Sequence, residues 1–473
     1  MRITTDYLVI GAGATGLAFT DSLVAESDAD VVLVDRNDAP GGHWVHAYPF
    51  VALHSPSAYY GVNTLTLGAD QVDTSGPNAG FYERATRSEV LDHFAEAVTR
   101  LEQTGRVRLL SGHEDLGVDG GVRQVRDLRT GDIVEIEVRR KVVDARYLES
   151  SVPATHRPSF EVADDASVVP IGALPAAADS ARSYVVLGAG KTAVDACLWL
   201  LDQGVDPERI RWVRARDAWF HDRAQFQPLD QVAGIMEGLA ADAEAGAGAT
   251  DVEDFFARLE EAGRVLRIDP DVPATMYRGS MLSEHELAEV RRIDDVVRMG
   301  RVRRIERDRT FLERGDLETG NDVLHVDCTA RGLSNAPALP IFAPDRIVLQ
   351  QVRHNSPPFN AALLGFVEAH RDDDIEKNRL CPPNAYSASA TEYPRLLART
   401  WRTEELWFGE PDIAGWVAAS RLNLLQALPG HQHEPRAQAA VTRYLTHVGD
   451  AIAQFEQMDP TAVADVDPAA PVG

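Results

Sequence analysis

The chain opens on a short apolar run, Tyr7-Leu8-Val9-Ile10, that breaks at Gly11-Ala12-Gly13-Ala14-Thr15-Gly16 and resumes at helical spacing over Leu17-Ala18-Phe19-Thr20-Asp21-Ser22-Leu23. A second run, Val31-Val32-Leu33-Val34, ends in Asp35. Consecutive apolar positions suit a strand buried on both faces, so the pattern predicts strand, glycine turn, helix and strand, with an acid at the exit. The same alternation returns downstream. Ser183-Tyr184-Val185-Val186-Leu187 runs into Gly188-Ala189-Gly190-Lys191-Thr192-Ala193, followed by a helix face of Val194, Ala196, Cys197, Leu198, Leu200 and Leu201. The strand Ile210-Arg211-Trp212-Val213 then exits through Arg214, with Arg216 beyond.

Between the two copies, Thr86-Arg87-Ser88-Glu89 reads as a capping box that starts an amphipathic helix. Runs at 107–110, 122–125, 133–138 and 141–147 read as strands, and the Pro- and Ser-rich 152–170 as a linker. Residues 220–293 read as a helical insertion, with a mobile Ala/Gly turn at 241–248 and capping boxes at Thr250 and Ser283. Strands resume at 296–299, 302–306, 323–327 and 346–353, and a helix follows from Pro358 to His370. The rest is read as helical to about Gln457, with Trp401, Trp407 and Trp416 as packing anchors. The expected fold class is α/β, with two Rossmann-like dinucleotide-binding domains, the second inserted in the first, and C-terminal helices. The expected division is 1–170 and 323–458 for the first unit and 171–322 for the second, with 459–473 a disordered tail.

The glycines have separate tasks. Gly11 permits the tight turn, Gly13 admits a pyrophosphate close to the backbone, and Gly16 lets helix and strand pack. The helix N-terminus offers free N–H groups and the positive end of its dipole to phosphates. Asp35 stands where an acid accepts from ribose hydroxyls, which favours FAD or NAD in the first unit; Arg214 stands there in the second, which favours the 2′-phosphate of NADP.

Composition narrows the partners. The 473 residues carry a net charge of −26, which argues against nucleic acid or an anionic membrane surface. No apolar run approaches the roughly 20 residues that span a bilayer. The first strand begins almost at Met1, so no signal peptide and a cytoplasmic location are expected. Three well-separated cysteines, Cys197, Cys328 and Cys381, form no CxxC pair. His43, His46 and His54 lack the neighbouring acid or cysteine that would complete a metal site, and no metal is expected. They lie near or within an aromatic-, Pro- and Ser-rich loop, 48–63, read as lining a pocket.

The GxGxxG turn, the Gly41-Gly42-His43-Trp44 after the acid, the Tyr48-Pro49 that follows and the GxGxxA turn together resemble the flavin-containing and Baeyer–Villiger monooxygenases. The resemblance covers most of residues 1–365. It implies FAD on the first unit and NADPH on the inserted second, hydride transfer to the flavin, and reaction with O2 through a C4a-(hydro)peroxide while NADP stays bound. The family's alanine–glycine strand exits correspond to Asp144-Ala145-Arg146, which lacks the glycine, and Ala330-Arg331-Gly332, which carries Arg in the middle; its Phe-x-Gly…His fingerprint is absent, and His54 stands near the place of an Asp.

On this resemblance the cofactor-binding set is Gly11, Gly13, Ala14, Gly16, Asp35, Arg36, Gly42, His43, Trp44, Gly188, Gly190, Lys191, Thr192, Arg214, Arg216, Ala330 and Gly332. His54, Ser57 and Asn63 are assigned to the flavin's reactive side: His54 to adjust peroxide protonation, Asn63 to donate to the peroxide or the nicotinamide amide. The substrate is a small organic molecule in a pocket built from the insertion and the C-terminal helices, and a homodimer is compatible with the sequence. Two alternatives stand beside the monooxygenase: an NADPH-dependent oxidoreductase or oxidase that inserts no oxygen, and a non-catalytic dinucleotide-binding redox sensor.

Overall fold

The computed structural model describes residues 2–386 and 388–458; the tail at 459–473 lies outside them. The first apolar runs pair as the pattern requires. Arg2–Ile10 lies parallel between Val31–Asp35 and Ile133–Asp144, and Val107–Ser111 extends the sheet beyond Val31–Asp35. Val122–Asp127 and His113–Asp119 continue it antiparallel beyond Ile133–Asp144. A last strand, Arg346–Val348, joins from the far end of the chain, parallel to Ile133–Asp144. The second sheet is wholly parallel, in the order Val296–Val297, Ile210–Val213, Ser183–Leu187, Val323–Asp327, Val168–Pro170. Two strand–turn–helix units, one on a mixed sheet with a parallel centre and one on a parallel sheet, the second lying between segments of the first, are the observed architecture.

Helix Ala14–Glu26 crosses Pro357–His370 so closely that a Cβ on Gly365 would lie 2.5 Å from the Phe19 carbonyl oxygen. Both helices are buried almost all round, with Asp21 and Glu368 among their few buried polar side chains.

Three expectations are corrected. Residues 152–170 supply strands to two sheets, Glu161–Val162 beside Val302–Ile305 and Val168–Pro170 at the edge of the second parallel sheet. The 220–293 insertion is not all helix: Asp217–Asp222 is the centre of a three-stranded sheet with Val265–Arg267 and Ala274–Leu282. The 241–248 stretch is the C-terminal half of helix Ala233–Gly248, whose small residues admit helix Pro435–Met458; a Cβ on Gly246 would lie 2.5 Å from Phe455. The boxes at Thr86 and Ser283 form, whereas at Thr250 the cap is one residue on, at Asp251, whose side chain accepts from the Asp254 N–H. Trp401 and Trp407 are buried, and Trp416 packs half-buried on the main core. Among the described residues, no helix is long and apolar enough to cross a membrane.

Candidate active site

The first cradle is closed by backbone. Gly11 sits at φ +107°, a conformation that favours glycine, and a Cβ on Gly16 would collide with the Gly11 carbonyl oxygen. The second glycine pair, Gly41-Gly42, folds onto the turn: a Cβ on Gly42 would lie 2.9 Å from the Gly13 Cα. Asp35 is buried and braces this arrangement; its carboxylate accepts from the N–H groups of Ala12 at 2.7 Å and Asn37 at 2.8 Å. Helix Ala14–Glu26 has no side-chain cap and no acid in its first turn, so its N-terminal N–H groups are left for an anion. Trp44 is buried behind the turn, its indole N–H donating to the Tyr60 hydroxyl at 2.6 Å.

The second cradle repeats this. Gly188 has φ +133°, and a Cβ there would lie 2.7 Å from the Cys328 carbonyl oxygen. Gly190 caps helix Lys191–Asp202 with ordinary extended φ/ψ and no side-chain cap bond. A Cβ on Gly190 would meet no protein atom within 4 Å. No protein neighbour requires a glycine there, which fits a phosphate approaching from the open side. Ala193, where the first copy has Gly16, is fully buried.

Both cradles open onto one cavity of about 1040 Å³, at the upper end of ordinary small-molecule sites. Gly11, Gly13, Ala14, Asp35, Arg36, Gly42, His43 and Trp44 line it from the first unit. Gly188, Gly190, Lys191, Thr192, Arg216, Ala330 and Gly332 line it from the second. Arg36 pairs with Glu149 at the rim. The residues present fit FAD in the first cradle and NADPH in the second.

Three assignments are corrected by position and a fourth, His54, by its charge. Ser57 is buried off the cavity, its hydroxyl donating to the Glu83 carbonyl and accepting from the Ala85 N–H at 2.7 Å; it fixes the loop. Asn63 is likewise off the cavity, its Oδ1 accepting from Ser420 at 2.8 Å. Arg214 is buried beneath the strand end, stacked on Trp212 at 4.8 Å and paired with Asp217 at 3.1 Å, and does not line the cavity. His54 does line it, but burial, with Lys191, Arg223 and Arg84 nearby, brings its imidazole down to about 3. It is neutral at physiological pH and cannot hold a proton there as an acid.

Arg216 stands where Arg214 was expected. It is exposed in the cavity beside Arg278 and Arg301, and burial together with these two like charges presses it below its ordinary value. None of the three forms an ion pair with a described carboxylate, and Arg278 donates only to the Arg331 carbonyl. Glu313 accepts from the Arg301 backbone N–H at 3.1 Å but pairs with no guanidinium of the three, and in a chain of net charge −26 such a group of arginines suits a polyanion. The neighbouring arginines Arg303, Arg304 and Arg309 do pair with acids.

A buried ionic node ties the two cradles together. Glu286, from the Ser283 capping box, takes Arg223 at 2.6 Å, Arg84 at 3.6 Å and Lys191 at 3.8 Å. Arg223, wholly buried, donates its Nε–H to the His54 carbonyl at 2.9 Å. Lys191 also pairs with Asp195, which accepts from the Tyr48 hydroxyl at 2.5 Å. Burial raises the Glu286 carboxyl, but the three cations outweigh it and hold it at about 2. A depressed carboxyl stabilises the fold above its unfolded pKa and loses that contribution as pH falls towards the folded value. Glu286→Gln is therefore expected to cost about 3 kcal/mol at pH 7, narrowing as pH drops from about 4.5, read by urea unfolding at each pH. The sequence marks Glu286 only as a capping residue.

The cavity continues between the insertion and the C-terminal helices. His221, Phe226, Asp242, Arg264 and Tyr277 face it from one side, and His354, Tyr393, Leu397, Trp401 and Glu404 from the other. No motif marks these residues, since each reaches the site through pairing distant in sequence. All three cysteines are buried and free, and burial pushes each thiol up. The native protein is expected to react with none of a disulfide reagent such as Ellman's, and with three equivalents after unfolding.

A family model described as an NAD(P)-binding Rossmann-like domain matches residues 9–76. The uncharacterized protein Rv2000 of Mycobacterium tuberculosis (strain ATCC 25618 / H37Rv) is 42% identical over 460 residues, 96% of this chain and 84% of its own. The uncharacterized protein Mb2023 of Mycobacterium bovis (strain ATCC BAA-935 / AF2122/97) gives the same figures. Among solved structures, cyclohexanone-bound cyclohexanone monooxygenase is 14% identical with a TM-score of 0.48, over 99% of each chain. Flavin-containing monooxygenase from Stenotrophomonas maltophilia is 15% identical with a TM-score of 0.46, over 80% of this chain and 99% of that one.

Proposed function

The chain belongs to the same family as the mycobacterial proteins Rv2000 and Mb2023, and from the geometry of its cleft we propose that it is an FAD- and NADPH-dependent monooxygenase of a small organic molecule, with O2 as co-substrate. One observation carries this: two glycine-turn cradles, one acid-braced and one ringed by unpaired arginines, open onto a single cavity. A protein acting with one dinucleotide has no use for the second cradle. The chemistry that a flavin bound here supplies is two-electron redox between a nicotinamide and dioxygen.

The chain's own residues bind, orient and screen. The N-termini of helices Ala14–Glu26 and Lys191–Asp202 hold pyrophosphates, and Arg216 with Arg278 and Arg301 holds the 2′-phosphate. The Glu286 node fixes the His54 loop against the second cradle, so that the two cradles keep a set spacing. His54, neutral, presents a hydrogen bond rather than a charge.

The test is a spectrum followed by a reduction. The purified protein is expected to be yellow, to release FAD rather than FMN, and to bleach anaerobically with NADPH much faster than with NADH. Reoxidation in air with substrate is expected to give an oxygenated product with little hydrogen peroxide. A colourless protein that takes up no FAD, or a flavin that NADPH leaves oxidised, overturns the reading. Peroxide release equal to NADPH consumed, whatever organic molecule is present, replaces it with an oxidase.

A further inference from the structure

The outer end of the first cradle closes into a ring. Arg2–Ile10, Val31–Asp35 and Ile133–Asp144 run parallel and end together, with Ile10 beside Val34 on one side and Asp144 on the other. The residues leaving these strand ends therefore meet, at the edge where open parallel sheets take their ligands. Asp35 braces Ala12 and Asn37. The Asn37 carbonyl accepts from the Gly112 N–H at 2.8 Å, and strand His113–Asp119 leads on from there to Asp115. The Asp115 carboxylate lies 3.5 Å from the Arg146 guanidinium. Arg146 brings the ring back to its start, since a Cβ on Gly11 would lie 3.5 Å from its Cγ. Asp35, Asn37, His113, Asp115 and Arg146 all line the cavity.

Charge is cancelled here one pair at a time. Arg123 clasps Asp115 through two hydrogen bonds of 2.7 Å, Arg126 takes Glu114, and Arg36 takes Glu149. Arg146 gives Asp144 its Nε–H at 3.1 Å and an Nη2–H at 3.3 Å. The second cradle is the reverse, with Arg216, Arg278 and Arg301 in no ion pair with a described carboxylate. The paired end suits an uncharged group with polar edges better than a second phosphate. Arg146 is also held unusually well for a side chain that is 43% exposed. A half-exposed arginine ordinarily samples many conformations, whereas two carboxylates fix the plane of this one. A guanidinium of fixed plane at a cavity wall is a platform for a flat heteroaromatic ring, because the two stack face to face.

We propose that Arg146 is the platform on which the adenine ring of FAD lies, its plane set by Asp144 and Asp115, and that this side chain contributes to the choice of FAD over FMN. The ribose then falls beside Asp35 and the pyrophosphate at the N-terminus of helix Ala14–Glu26, in the order in which the ring presents them. FMN has no adenosine half and leaves this end of the cradle unused. The proposal deepens the flavoenzyme reading and rests on it for the identity of the ligand, but it is measured by binding, apart from any turnover.

The experiment is isothermal titration calorimetry of FAD and of FMN into the full-length protein stripped of flavin. The wild type is expected to bind FAD at least about tenfold more tightly than FMN. Arg146→Ala is expected to weaken FAD about tenfold and to leave FMN within about twofold. Arg146→Lys keeps the charge without the flat face and is expected to recover little of that loss. Retention of the wild-type far-UV spectrum and melting temperature shows that each variant is folded. Unchanged FAD affinity in a folded Arg146→Ala protein overturns the platform alone and leaves the flavoenzyme reading standing. So does an equal loss for FMN, or full recovery in Arg146→Lys, either of which moves the role from adenine to a phosphate. A wild-type protein that takes up no FAD sinks the flavoenzyme reading and the platform with it.

Discussion

Gly190→Ala is expected to leave the melting temperature of the protein unchanged and to raise its Kd for NADPH by about tenfold or more. A Cβ at this position touches nothing in the protein within 4 Å, and its backbone is of a kind any residue adopts. The stability change therefore stays within about 0.5 kcal/mol. In the second cradle the same methyl group occupies the approach to the helix N-terminus, and overpacking of about 1–3 kcal/mol falls on the ligand alone. Gly16→Ala gives the opposite result. Its Cβ collides with the Gly11 carbonyl, so folding suffers whether or not a dinucleotide is present. Thermal melts with and without NADPH, beside fluorescence titration, separate the two. Equal affinity for NADPH in a folded Gly190→Ala protein removes the second cradle from the mechanism.

Arg216→Ala is expected to raise KM for NADPH by about 10- to 100-fold while leaving NADH within about twofold. The lost contact is a charge-assisted hydrogen bond of about 1.5–3 kcal/mol to a group that NADH lacks. Arg301→Ala follows the same pattern with a smaller effect, because Arg216 and Arg278 remain. Arg214→Ala behaves differently: it removes the buried partner of Asp217 and the cation over Trp212, and it is expected to lower stability and to weaken both nucleotides alike. Steady-state reduction of the flavin with each nucleotide distinguishes the three variants. A loss in Arg214→Ala confined to NADPH would return the phosphate to that residue.

The difference between Arg214 and Arg216 shows what the sequence could and could not convey. Arg214 is turned inward by its stacking on Trp212 and its pairing with Asp217, whereas Arg216 two residues on stays exposed in the cavity. Both lie past the strand end and on the same parity, so neither distance from the glycine turn nor strand alternation separates them. The turns themselves were legible because their signal is local: glycines, helix and strand fall within one stretch of chain. Ser57 and Asn63 sit in an aperiodic loop where no pattern says which side chains face the cavity, and both turned out to hold the loop together. The far end of the cavity was legible only as a place. Tyr277 comes from a strand that pairs with Asp217–Asp222, and Tyr393 from a helix over a hundred residues on, so only tertiary pairing brings them into contact. The 241–248 stretch misled through its composition, since alanine and glycine serve a close helix crossing as well as a turn.

The way the first sheet is completed has a consequence for the order of synthesis. Its last strand, Arg346–Val348, and the helix carrying Gly365 are translated after the whole second sheet, which ends with Val323–Asp327. A nascent chain leaving the ribosome at that point has every strand of the inner unit but leaves helix Ala14–Glu26 bare on the side that Pro357–His370 will cover. The unit that begins the chain thus closes only after the second sheet is complete, and its exposed apolar helix is where chaperones or premature association would act in the interval.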